Sequence, residues 1–394
     1  MNPLAALLNL SASQKLDRGL SHTPREIAQQ PKTWPATFAR LKSREPEVQE
    51  FLTASGLRGP AEQRPTVFLI GAGTSDYIGR SLHHLLRTQW QCEVIPVSST
   101  ELLPDFTDYV LPDRRYLWIS FSRSGDSPEG VAVLERALAE CPNVGHLIVT
   151  CNADGRMNQA VQGRPRALAL VLDDATNDRG LAMTSSFTNM VVTGQFLAHV
   201  GNTDAYAPIV SALASAAENL LPHAASLASS LADGSFARAC FVGSGVLSGT
   251  AMESALKVLE LTAGNVQTMS QPTLALRHGP MAALHRDTLF VSLVSSQPLR
   301  RKYELDLLRE IGSKGLVRTR VAVTSAEAAA LRSEAEHVLA PEPEAVIPDL
   351  YRPPLDVLFG QLLGLFSSMH FGLKPDVPSP NGAISRVVQN VGIY

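Results

Sequence analysis

Four hydroxyl side chains and a guanidinium crowd into eight residues, Ser120-Phe121-Ser122-Arg123-Ser124-Gly125-Asp126-Ser127, directly ahead of Pro128. Hydroxyls and free N–H groups at the head of a helix bind a phosphate monoester without needing lysine. Arg123 would add a charge-assisted contact. Ser127 before Pro128 reads as a helix N-cap with proline at the first helical position. Upstream, Gly71-Ala72-Gly73-Thr74-Ser75 is a second glycine- and hydroxyl-rich turn, with Thr74 and Ser75 as its candidate anion ligands. The dinucleotide pattern Gly-x-Gly-x-x-Gly needs a glycine where Asp76 stands, and the next glycine is Gly79, so no nicotinamide cofactor is expected. Either segment alone is also what a tight turn or a solvated loop looks like. Together they predict a phosphate site.

A different chemistry is suggested further along. Glu253, Lys257 and Glu260 stand at i, i+4 and i+7 and share one helical face. An exposed salt-bridge ladder has the same spacing. The residues among them, Ala255, Leu256, Val258, Leu259 and then Leu261, are apolar, which predicts a buried helix whose charges must be paired or functional. Arg277-His278-Gly279-Pro280 places a histidine in a loop 18 residues after Glu260. Loop histidines are commonly plain surface residues, but the Gly-Pro pair restrains this one. No His/Cys cluster offers a metal site, so neither metal nor cofactor is expected.

These candidates need strand ends to hold them. A short β-rich run at 66–70 ends in the Gly71 turn, and another at 239–242 ends in Gly243-Ser244-Gly245, 172 positions later. Residues 116–121 run into the serine loop, and 288–293 run into Ser295-Ser296-Gln297-Pro298; Ser292 again lies 172 positions after Ser120. The pair 145–150 and 319–324 is offset by 174. Three strand ends at nearly constant spacing predict two homologous domains in tandem. In the second copy the loop has lost its glycine and its serine ladder. In the first, strands are predicted at 66–70, 93–97, 116–120, 145–150 and 167–171, with helices at 76–90 and 128–140 between them. Such alternation gives parallel strands, crossover helices on both faces and ligand sites at the strands' carboxyl ends.

Composition limits the partners. Of 394 residues, 45% are apolar and 18% charged, with 34 Lys+Arg against 37 Asp+Glu, so no basic face is expected for nucleic acid. The four cysteines form no Cys-x-x-Cys pair, which suits a reducing compartment. Residues 1–10 lack the basic start of a signal peptide. The uncharged stretches 180–203 and 357–373 read as buried helices, not membrane spans. A soluble, cytoplasmic protein is expected. Thr23-Pro24-Arg25-Glu26 reads as a capping box with proline opening a helix, and 204–233 as helical apart from Pro222.

In this order, Gly-x-Gly-Thr-Ser, Ser-x-Ser-Gly-x-Ser, Glu-x-x-x-Lys-x-x-Glu and His-Gly-Pro resemble the sugar isomerase (SIS) family in its tandem-domain form, over roughly residues 40–394. The pattern is similar to the isomerase half of glucosamine-fructose-6-phosphate aminotransferase. It is closer to the tagatose-6-phosphate ketose/aldose isomerase group, which includes galactosamine-6-phosphate deaminases; 385–391 resembles that group's closing segment. The resemblance implies two flavodoxin-like α-β-α domains, each a five-stranded parallel sheet. Its divisions are a helical lead-in (1–55), SIS domain 1 with the phosphate loops (56–203), a helical linker (204–235), SIS domain 2 with the acid/base helix (236–374) and a tail closing the site (375–394).

By resemblance, Ser75, Ser122, Arg123, Ser124 and Ser127 hold the sugar phosphate, Glu260 moves a proton between C2 and C1, Lys257 neighbours it, and His278 opens the ring. The family's histidine loop can come from a second subunit, which implies a homodimer. Two positions depart from the aminotransferases: Gln389 stands where they carry a lysine, and Met183 where they carry a sugar-contacting serine. The expected activity is conversion of galactosamine 6-phosphate to tagatose 6-phosphate and ammonia. A glucosamine-6-phosphate deaminase, a sugar-phosphate–amine deglycase and a non-catalytic sugar-phosphate sensor are the alternatives. A glutaminase half, with its N-terminal cysteine, is not expected, since the first cysteine is Cys92.

Overall fold

The computed structural model describes residues 2–234, 236–325, 327–343, 346–388 and 391–394. Among them, five strands build one sheet: β1 Thr66–Gly71, β2 Val94–Ser98, β3 Tyr116–Ser122, β4 Val144–Thr150 and β5 Ala167–Val171, in the order β2-β1-β3-β4-β5. Five more build a second: β6 Arg238–Gly243, β7 Gln267–Pro272, β8 Thr288–Leu293, β9 Thr319–Val323 and β10 His337–Leu339, in the order β7-β6-β8-β9-β10. The two orders are the same, and every pairing is parallel. The tandem α/β repeat read from the spacing is therefore present as two five-stranded parallel sheets.

The central strands of the first sheet are buried end to end because helices cover both faces of a parallel sheet. All seven residues of β3 and all seven of β4 are buried. Trp118, Phe68, Ile70, Val97 and Tyr116 form one side of the first core; Cys240, Val242, Phe290, Leu307 and Ile311 occupy the second. The helices Thr74–Trp90 and Pro128–Glu140 follow β1 and β3. The two uncharged stretches are helices, Ser185–Ala198 with every residue buried and Pro353–His370.

Three local expectations are corrected. Thr23 and Glu26 form no capping box: the helix Thr23–Ala28 has His22 at its N-cap and Pro24 in its second position. Thr23 instead donates its hydroxyl to Asp376 Oδ1 at 2.8 Å, and Glu26 accepts from the amides of Arg179 (2.5 Å) and Gly180. Distant partners outcompeted the local box. Pro222 does not interrupt its helix, which runs unbroken over Ala207–Asp233. Proline inside a helix costs about 3 kcal/mol, which the burial of Leu221, Ala224 and Ala225 on either side offsets. Ser127 occupies the N-cap of the Pro128–Glu140 helix, but its side chain makes no capping bond.

The chain forms two compact units, each discontinuous in sequence. One comprises Thr33–Asp178, Ser185–Val210 and Ile384–Tyr394; the other comprises Met1–Lys32, Arg179–Thr184 and Ser211–Ala383. The lead-in read as 1–55 contributes to both.

Candidate active site

In the first unit, the strand order places the reversal of direction between β1 and β3, and ligands of such sheets bind in that crevice. Ile70 pairs with Ser120, so the glycine turn and the serine loop leave adjacent strands side by side. At Gly71 an added Cβ would stand 2.3 Å from the Ser75 carbonyl carbon. Only glycine lets the chain fold back that closely. Gly73 follows with φ +54° and caps the Thr74–Trp90 helix. This puts Thr74 and Ser75 in the helix's first turn, both buried.

The serine loop is braced from within. Ser122 Oγ accepts from the Gly125 amide and Ser124 Oγ from the Asp126 amide, each at 3.1 Å. A hydroxyl oxygen that accepts a backbone N–H still has its proton to donate, so both can serve an anion. Arg123 is buried, and its guanidinium donates to the Arg386 carbonyl at 2.7 Å. Arg386 in turn donates to the Asp178 carbonyl (2.9 Å) and to Asn177 Oδ1 (2.6 Å). The arginine read as a phosphate ligand thus grips the C-terminal segment. Asp178 accepts from the amides of Ser185 (3.0 Å) and Ser186 (2.8 Å), anchoring the head of the Ser185–Ala198 helix. Sequence reasoning missed Asp178 and Arg386, because their partners lie seven to 263 positions away.

The second unit holds the acid/base candidates. On the helix Val246–Leu261, Lys257 Nζ lies 2.6 Å from Glu260 Oε2 and 3.3 Å from Glu253 Oε1. The Lys257 and Glu253 side chains are fully buried, while that of Glu260 is 23% exposed. The Pro353–His370 helix covers Lys257 closely: an added Cβ at Gly364 would stand 2.9 Å from the Lys257 carbonyl oxygen. Burial alone would pull the lysine's pKa down, but Glu253 and Glu260 outweigh it and hold it above its ordinary value. One cation thus sits between two carboxylates, and of the three only Glu260 reaches solvent.

His278 is exposed and caps the short 3-10 helix Thr273–Arg277. Gly279 behind it has φ +123°, a value open to glycine. Arg277, which sequence reasoning passed over, ties the loop down through Glu310 (2.6 Å) and Asp306 (3.0 Å) on the helix Pro298–Ser313. Among the described residues no hydrogen bond or ion pair joins His278 to Glu260. Met183 is half-buried in the second unit; Gln389 lies outside the described residues.

A Streptomyces coelicolor protein assigned as a D-galactosamine-6-phosphate deaminase is 38% identical over 96% of this chain and 97% of its own. This chain belongs to the sugar isomerase (SIS) family, in the branch of the D-galactosamine-6-phosphate deaminases. An Escherichia coli protein named as such a deaminase is 34% identical over 94% of this family member and 95% of its own length. The crystal structure of the Escherichia coli tagatose-6-phosphate ketose/aldose isomerase superposes with a TM-score of 0.85 at 31% identity, covering 94% of this chain and 96% of that one. No family model matches the chain. Among the described residues no helix is long and apolar enough to cross a membrane.

Proposed function

We propose that the protein deaminates D-galactosamine 6-phosphate, giving tagatose 6-phosphate and ammonia. One observation carries the reading above the others: the named deaminases match along nearly the whole chain, at 31–38% identity. The geometry of each unit supplies groups suited to that chemistry.

Thr74, Ser75, Ser122, Ser124 and Ser127 receive the phosphate, whose binding energy orients C1 and C2 for reaction. Arg123 adds a charge-assisted contact to the phosphate, while one of its N–H groups holds the C-terminal segment. His278 opens the ring by moving a proton between the ring oxygen and the C1 hydroxyl. Glu260 takes the C2 proton to give an enolamine and returns a proton to C1, leaving a ketimine at C2. Water adds to the ketimine carbon, and the carbon–nitrogen bond breaks to release ammonia and the ketose. Lys257 orients Glu260 through the 2.6 Å ion pair between them. The exposed His278 loop supports a homodimer in which it serves the partner's sugar site, and the protein works in the cytoplasm.

The test is ammonia release from a panel of hexosamine 6-phosphates. The galacto epimer should turn over fastest. Faster release from the gluco epimer would reassign the substrate, and release only from substituted amine adducts would make the protein a deglycase.

A further inference from the structure

The second domain's counterpart of the serine loop, Ser295-Ser296-Gln297, joins β8 to the helix Pro298–Ser313 and holds a carboxylate. Asp349 is 3% exposed. Its Oδ1 accepts from the Ser296 amide and from the Ser296 hydroxyl, both at 2.8 Å. Its Oδ2 accepts from the Ser295 hydroxyl. Two guanidiniums flank it, Arg352 at 3.3 Å and Arg300 at 3.5 Å. Arg352 is fully buried, and it also donates to the Val294 carbonyl and pairs with Asp356 at 2.7 Å. The amide of Ser295 goes to a neighbouring buried carboxylate, Glu304, at 2.7 Å.

Two hydroxyls, an amide at a helix head and two arginines are the donor set of an oxyanion site. The location is also right: β6 and β8 stand where β1 and β3 stand in the first sheet, so this loop lies beside the same strand-order reversal. The turn after β6 repeats its counterpart: Gly243 closes on Leu247 as Gly71 closes on Ser75, and Gly245 has φ +60° against +54° at Gly73. In the first domain Ser122 and Ser124 accept from their own loop's amides. In the second, Ser295 and Ser296 spend their protons on Asp349.

We propose that the second domain retains a phosphate-type anion site, and that the Asp349 carboxylate occupies it from within. The loop's loss of its glycine and serine ladder is then the loss of an external ligand, with a tethered carboxylate replacing it. A carboxylate supplied by the chain needs no binding from solution, so the domain is locked in its liganded form. Each chain has one site for sugar phosphate.

Asp349→Ala, which removes the carboxylate and leaves the donors, should create a site for an external oxyanion. Equilibrium dialysis with radiolabelled inorganic phosphate should show one more phosphate bound per chain in Asp349→Ala than in wild type, and phosphate should raise the variant's thermal midpoint more than the wild type's. The difference between the two proteins is the readout, so it stands whether or not the serine loop of the first domain binds phosphate. An unchanged stoichiometry overturns the proposal. Asp349→Asn keeps the shape and removes the charge. It should unfold several degrees below wild type, and phosphate should not restore it, because the amide still fills the space. An Asn variant as stable as wild type would show that the site does not demand an anion.

Discussion

At the scale of single residues, burial separates the groups on the acid/base helix. Lys257 and Glu253 are sealed in, and Glu260 alone has a path to a substrate. Glu260→Gln should therefore abolish turnover, since positioned proton transfer is worth roughly 10²–10⁴-fold. Deuterium exchange from solvent at C1 and C2 should stop as well, while substrate still binds. A Gln variant with full activity refutes the assignment. His278→Ala should behave differently. It would still process the open-chain fraction of the sugar, leaving a slow rate limited by spontaneous ring opening. On the binding side, replacing Ser122 and Ser124 together with Ala should raise KM at least tenfold, about 1.4 kcal/mol. An unchanged KM removes the loop from the site.

At the scale of elements, the strand-turn-helix units stand on their first glycines. Gly71→Ala would force the first turn of the Thr74–Trp90 helix outward, at a cost of about 1–3 kcal/mol for overpacking. Gly243→Ala meets Leu247 O at 2.4 Å and should cost as much stability. If the first domain alone holds the sugar phosphate, KM rises in Gly71→Ala and moves little in Gly243→Ala. Equal KM effects in folded proteins would contradict that division. The sheet also carries a pH dependence. His146, inside β4 with its ring edge on Trp118, has its pKa lowered to about 4 by burial, with Arg164 and Arg166 adding to the effect. The unfolded chain binds this proton from about pH 6.5. Between those values the unfolded state holds more protons, so stability falls as pH falls, by up to about 1.4 kcal/mol per pH unit. Denaturant titrations of wild type and His146→Leu should diverge in that window; parallel profiles would clear His146 of the effect.

At the scale of the molecule, the question is whether one chain suffices. Arg277 and its two carboxylate partners hold the His278 loop in place while leaving the histidine exposed. If the loop serves a neighbouring copy, activity and dimerisation rise together with concentration. Sedimentation at assay concentration should show a dimer. A fully active monomer would return His278 to its own chain's chemistry.

Short-range signals carried much of this protein. The strand positions at 66–70, 145–150 and 167–171 came from apolar runs, and the structure moves none of their ends by more than one residue. The shared face of Glu253, Lys257 and Glu260 followed from helical period, and the tandem architecture followed from a constant offset. What the sequence could not decide is where polar side chains find their partners. Thr23 and Glu26 had the spacing of a capping box, Ser127 the place of a cap and Arg123 the chemistry of a phosphate ligand. Thr23 and Glu26 bond to distant partners instead, the Ser127 side chain makes no capping bond, and Arg123 donates to the Arg386 carbonyl. The bond between Thr23 and Asp376 spans 353 positions, and that between Arg123 and Arg386 spans 263. Asp349 reaches its serines from more than fifty positions away. Apolar periodicity is repeated residue after residue and survives reading in one dimension. A buried hydrogen bond depends on two atoms meeting within about 3 Å, and only the folded backbone brings such distant atoms together.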